Sequence, residues 1–171
     1  MSSLDWSYNM TIAFEIEYKY LCPFLTVWIL HDSYDVVSSN FISQYYLPDG
    51  TRLRKTTLID NSDEKYFITK KTPTDDPRVW VEDERLVTKN EYLENWHKGL
   101  PSVHKIRAKV LYEDNIWEVD FYDGLDGLIT AEIEVPSIDY EFKTPSFCTQ
   151  DVTADPAYKN CNLAKVGTAD E

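Results

Sequence analysis

The sequence predicts an α+β protein: a closed antiparallel β-barrel of about eight strands forming a charged tunnel, with helices packed outside. Two observations predict it. Charged residues recur at period two, in the sets Glu15, Glu17 and Lys19; Arg52 and Arg54; Glu82 and Glu84; Lys105, Arg107 and Lys109; Glu118 and Asp120; Glu132 and Glu134. Side chains of a strand alternate between faces, so each set lies on one face, with mostly apolar residues such as Ile16, Leu53, Ala108, Val119 and Ile133 between. The signs are also segregated: three sets are acidic, two basic and one mixed. A single set indicates only a solvated sheet face. Repetition in blocks of opposite sign suits a barrel whose basic strands hold a polyanion and whose acidic strands hold a divalent metal.

The elements follow in order. Residues 10–30 read as strand, with Pro23 marking a break or an edge, and His31 to Asn40 as a polar loop. Phe41 to Leu47 and Thr51 to Leu58 flank a Pro48-Asp49-Gly50 hairpin turn. Strands follow at Lys65 to Lys71 and Arg78 to Leu86. Thr88 and Glu91 form a capping box, and Gly99 and Pro101 close the helix they start. Strands resume at His104 to Tyr112, Ile116 to Tyr122 and Leu128 to Val135. Asp139, Glu141 and Lys143 also alternate, but Pro136-Ser137 before them indicates a surface helical turn. Asp155-Pro156 caps a C-terminal helix reaching about Lys165, and 166–171 read as a frayed tail.

With 171 residues, one domain over 1–171 is expected, residues 1–9 being an extension, and 43% hydrophobic content supplies a core. The net charge of −13 argues against non-specific binding to nucleic acid or an anionic membrane. An anionic ligand must therefore meet a local, enclosed positive site. Met1 to Met10 carries no basic n-region, and the apolar run Leu21 to Leu30 is too short to span a bilayer and reads as a buried strand. Cys22, Cys148 and Cys161 are odd in number and lack C-x-x-C spacing, as expected of reduced, buried thiols in a cytoplasmic protein. The chain contains no G-x-x-x-x-G-K, no H-E-x-x-H and no G-x-S-x-G.

Glu15-Ile16-Glu17-Tyr18-Lys19 resembles the E-x-E-x-K signature of the CYTH superfamily, the triphosphate tunnel metalloenzymes. Gln44-Tyr45-Tyr46-Leu47 followed by Arg52-Leu53-Arg54 is similar to its Q-x-Y-L and R-x-R strands. Thr69 and Lys71, Arg107-Ala108-Lys109, Glu118-Val119-Asp120 and Glu132-Ile133-Glu134 match later strands in order. Asp151-Val152-Thr153, Asp155, Tyr158, Asn160 and Asn162-Leu163-Ala164 resemble the C-terminal signature of its bacterial triphosphatase branch. Tyr18 departs from the pattern, standing where an arginine is usual; Phe147, Thr149 and Asp151 replace what is often Trp, Gly and Glu; and Lys70 puts a charge on the outward face.

The resemblance implies hydrolysis of a triphosphate, inorganic tripolyphosphate first, to pyrophosphate and phosphate. Arg52, Arg54, Lys71, Arg107 and Lys109 would bind the substrate. Lys19, Glu15 and Glu17 would act at the reacting end. Glu15, Glu17, Glu118, Asp120, Glu132 and Glu134 would hold Mg²⁺ or Mn²⁺, one ion orienting the triphosphate and a second activating water. The expected partner is a small polyphosphate, not nucleic acid or membrane, with a homodimer left open. The rivals are hydrolysis of a nucleoside or thiamine triphosphate, cyclisation of ATP, and non-catalytic sequestration of a phosphorylated ligand. Cyclisation needs a base pocket that the sequence does not reveal, and sequestration does not require acidic pairs on several strands.

Overall fold

A computed structural model describes residues 10–60 and 62–167. The expected extension 1–9 and the end of the expected tail, 168–171, lie outside the described residues.

Eight antiparallel strands close into a barrel: β1 (Met10–Leu21), β2 (Asp35–Tyr46), β3 (Arg52–Leu58), β4 (Glu64–Pro73), β5 (Val79–Val87), β6 (Ser102–Tyr112), β7 (Asn115–Tyr122) and β8 (Ile129–Val135). Their order around the barrel is β5-β4-β3-β2-β6-β7-β8-β1, and β1 closes the ring by pairing with β5. The length of β1, 12 residues, makes closure possible. Its first half pairs with β5, from Met10 opposite Arg85 to Ile16 opposite Val79. Its second half pairs with β8, from Ile16 opposite Val135 to Leu21 opposite Thr130. Where β5 ends, β9 (Gln150–Asp151) takes over the free edge of β1 at Tyr20 and Leu21. This brings the C-terminal segment against the barrel wall.

Because the alternating charges point inward, the apolar cores lie outside the barrel wall and at one of its ends. The largest is built on Ala108, Val110, Trp117, Val119, Ala131 and Ile133 of β6 to β8. Leu25 and Leu30, and Phe147 from the segment after β8, cover it. Trp117 is fully buried, and full burial of such a side chain is worth about 3 kcal/mol. A second core places Tyr92 of α2 (Lys89–Asn95) on Leu53 and Tyr66. In the third, Leu163 and Ala164 of α3 (Asn160–Gly167) pack on Val103 and Tyr122. Val103 shares the parity of Arg107, and Tyr122 that of Glu118, so both face the lumen and α3 seals one end of the barrel.

Local structure differs from the sequence reading in several places. The run Leu21 to Leu30 is not a strand: β1 stops at Leu21, and α1 (Val27–Ser33) begins where Thr26 Oγ1 accepts from Ile29 N at 3.2 Å. Pro23 lacks a ladder donor and ends the strand, and Leu30 alone is buried in the helix. Asp35 to Asn40 is strand rather than loop, because β6 supplies its ladder from Asp35 opposite Leu111. After Pro136 a single turn forms, with Tyr140 N donating to Ser137 O at 3.2 Å, and it includes Asp139 but not Glu141 or Lys143. The capping box at Thr88 is present, with its Oγ1 accepting from Glu91 N at 3.2 Å, but α2 ends at Trp96, before Gly99. Asp155 caps a 3₁₀ turn over Pro156–Tyr158, and α3 follows it through Gly167. Among the described residues no helix is long and apolar enough to cross a membrane.

Candidate active site

The lumen is a cavity of about 330 Å³ whose wall is charged on nearly every strand. Period two explains the placement: Glu15, Glu17 and Lys19 on β1, Arg52 and Arg54 on β3, Lys71 on β4, Arg107 on β6, Glu118 on β7, and Glu132 and Glu134 on β8 all line it. The hairpin before β3 sets the arginines at the wall. Gly50 adopts φ +87°, and Asp49 Oδ1 accepts from Thr51 N at 2.9 Å.

One wall is basic. Arg52 and Arg54 converge on one carboxylate, their Nη2 atoms 3.2 and 2.8 Å from Glu84 Oε2. Thr69 Oγ1 donates to the same oxygen at 2.8 Å. The Nε atoms of both arginines are buried without a hydrogen-bond partner. Burial and the neighbouring Arg52 pull the Arg54 guanidinium down to about 10, still charged at neutral pH. Lys71 Nζ lies 2.5 Å from Glu15 Oε2 and 3.5 Å from Glu17 Oε1.

The acidic side combines Glu15, Glu17, Glu82, Glu118 and Glu134. Burial, with Glu132 close by, pushes the Glu17 carboxyl up to about 7. Burial and the surrounding Glu15, Glu118 and Glu82 also raise Glu134, which forms no ion pair among the described residues. Glu132 differs. Burial opposes its charge, but Lys19 and Arg107 hold it down at about 2. Lys19 is clamped at the sealed end, donating to Tyr158 O at 2.6 Å and lying 3.2 Å from Glu132 Oε1. Burial works against its ammonium, yet Tyr122, Glu132 and Asp120 keep it above the usual lysine range.

Two expected site residues are not brought to this wall. Asp120 has no exposed surface and lies in a closed pair: Lys105 Nζ is 2.7 Å from its Oδ2, and Arg107 Nε donates to its Oδ1 at 2.7 Å. Burial opposes its charge, but Arg107 and Lys105 hold it well below the usual carboxylate range. It is the buried counterion of Lys105 and Arg107. Lys109 is exposed and outside the lining, although its cross-strand partner Glu118 belongs to it.

Other residues were missed as site candidates. Glu82 and Glu84 were visible as an alternating pair, and Trp80 continues their parity, but nothing in spacing assigned them a task. Thr69, Tyr158 and Lys159 also line the cavity. The last two arrive through the C-terminal strap, whose course no local pattern encodes. The strap is fastened by Val152 N donating to Lys19 O at 2.8 Å and Lys19 N donating to Thr153 Oγ1 at 3.0 Å.

Among the described residues no cluster of three His, Cys, Asp or Glu side chains stands ready as a metal cage. The donor chemistry nevertheless fits a hard divalent ion. Several carboxylates crowd one region, Glu134 forms no ion pair among the described residues, and burial, with neighbouring carboxylates adding to it, raises Glu17 and Glu134, a cost that a bound cation would relieve.

The chain is 40% identical over 106 residues to the inorganic triphosphatase of Acetivibrio thermocellus, covering 61% of this chain and 67% of that protein. Among solved structures it is similar to the PH1819 protein of Pyrococcus horikoshii OT3, with TM-score 0.56 at 22% identity over 73% of this chain and 80% of that one. A conserved hypothetical protein from Pyrococcus furiosus gives TM-score 0.52 at 21% identity over the same shares. These two carry the fold alone. No family model matches the chain.

Proposed function

The chain belongs to the CYTH superfamily, the triphosphate tunnel metalloenzymes, and we propose that it hydrolyses a linear triphosphate, inorganic tripolyphosphate before others, to pyrophosphate and phosphate. The observation that carries this reading is the Arg52 and Arg54 pair. Two guanidinium groups share one carboxylate, and each keeps a buried, unpaired Nε–H. Phosphate oxygens satisfy such donors bidentately. The name of the Acetivibrio relative supports the same substrate class.

Mg²⁺ or Mn²⁺ is the proposed cofactor, held by Glu15, Glu17 and Glu134 with Glu118, Glu132 and Glu82 beside them. When bound it would neutralise phosphate charge and polarise water. The chain's own residues do the rest. Arg52, Arg54, Lys71 and Arg107 hold the non-bridging oxygens in line and replace the ion pairs they now make with glutamates. The α3 seal excludes bulk water from the end where Lys19 waits. Water attacks the terminal phosphorus, the bridging P–O bond breaks, and pyrophosphate leaves with its new charge facing cations. Catalysis is thus mostly positioning and charge neutralisation. The three free thiols support a reducing, cytoplasmic setting.

The test is phosphate release from tripolyphosphate, ATP and thiamine triphosphate, each with Mg²⁺, Mn²⁺ or chelator. Metal-dependent turnover fastest on tripolyphosphate is expected. Failure to turn over any triphosphate with either metal overturns the reading.

A further inference from the structure

Lys159 lies where the C-terminal strap crosses the tunnel, between the 3₁₀ turn and α3, and its side chain lines the cavity. Its Nζ sits 3.9 Å from the centroid of the Trp80 ring. Every other cation lining the tunnel is already in an ion pair: Lys19 with Glu132, Arg52 and Arg54 with Glu84, Lys71 with Glu15, Arg107 with Glu118. Among the described residues Lys159 forms no ion pair; its ammonium lies on the indole face, and Glu17 acts on it from a distance.

We propose that Lys159 is a further substrate-binding residue, whose ammonium rests on Trp80 and moves to a phosphate oxygen when the triphosphate enters. The proposal rests on the triphosphatase reading and adds a residue to it. The paired cations must each break a carboxylate contact to bind phosphate, whereas Lys159 gives up only a ring face. The backbone on either side is anchored. Tyr158 O accepts from Lys19 Nζ at 2.6 Å, and Lys159 O accepts from Leu163 N at 2.9 Å. The side chain therefore swings about a fixed Cα. Its landing point is local too, because Lys71 Nζ lies 5.6 Å from the centroid of the same Trp80 ring. Phosphate oxygens held by Lys71 are next to the ring that Lys159 occupies. In a chain of net charge −13, an unpaired cation in the strap also draws a polyanion in against the overall field.

The experiment compares wild type, Lys159→Met and Lys159→Arg. Calorimetry measures tripolyphosphate binding with EDTA present, steady-state kinetics separate kcat from KM with metal, and thermal melts report folding. For Lys159→Met, Kd and KM should rise about tenfold, the size of one charge-assisted contact, with kcat nearly unchanged. Lys159→Arg should recover most of the loss. Tripolyphosphate should also change the Trp80 contribution to fluorescence, taken as wild type minus Trp80→Phe, and this change should vanish in Lys159→Met. A lysine that only fastens the strap predicts lower melting temperature and kcat with unchanged Kd; that result overturns the proposal. Wild type that turns over no triphosphate with either metal overturns the triphosphatase reading itself, and this proposal with it.

Discussion

Glu17 on β1 and Glu134 on β8 are direct cross-strand partners on one tunnel wall. Like charges placed opposite one another destabilise a sheet. Both carboxyls titrate above their ordinary values, burial being the largest cause in each. A divalent ion shared by the two, as proposed above, would offset that cost. Glu17→Gln and Glu134→Gln should therefore each raise the melting temperature of the metal-free protein and greatly lower metal-dependent turnover. Mn²⁺ titrations of activity and of melting temperature check both effects. Unchanged metal dependence in both variants removes these residues from the metal site.

The same pair sets a pH dependence. Glu17 titrates at about 7 in the folded chain against 4.5 ordinarily. Between those values the folded state binds more protons than the unfolded state, so stability falls as pH rises through the window. Glu132, held at about 2, is ionised throughout that range. Metal-free protein should melt higher at about pH 5.5 than at about pH 7.5, and Glu17→Gln should flatten the difference. A wild-type melting temperature that rises over this range contradicts the assignment.

Arg52 and Arg54 both lean on Glu84. On sequence alone, replacing both with alanine is expected to relieve their mutual repulsion and leave stability unchanged or slightly raised. The shared carboxylate reverses this. The double variant should lose tripolyphosphate binding and also melt lower, because Glu84 is left with Thr69 as its hydrogen-bond donor. Adding Glu84→Gln should restore stability but not binding. Calorimetry and melting curves on the three proteins decide it.

Asp120 sits at the other extreme. Its carboxylate is fully enclosed by Lys105 and Arg107, and breaking such a pair from one side costs about 3–5 kcal/mol. Asp120→Asn should lower the denaturation midpoint markedly while leaving the metal concentration for half-maximal activity unchanged. A shifted metal requirement with intact stability would return Asp120 to the ligand set.

Most of the barrel was legible in the chain because strand side chains alternate strictly, so charge at period two reports a face without any knowledge of partners. Glu15, Glu17, Arg52, Arg54, Arg107, Glu132 and Glu134 could be placed on the lumen for that reason. Parity says nothing of depth, however. Asp120 and Lys109 obey the same alternation as their neighbours, yet one is fully buried and the other exposed outside the lining. Depth follows from how the closed ring is staggered and capped, which depends on pairings far apart in sequence, β2 with β6 and β1 with β5. The pairing of each cation with a particular glutamate, the seal made by Leu163 and Ala164, and the seat of Lys159 on Trp80 arise in the same way. They join residues that only the closed barrel brings within a few ångströms, so no local pattern could carry them.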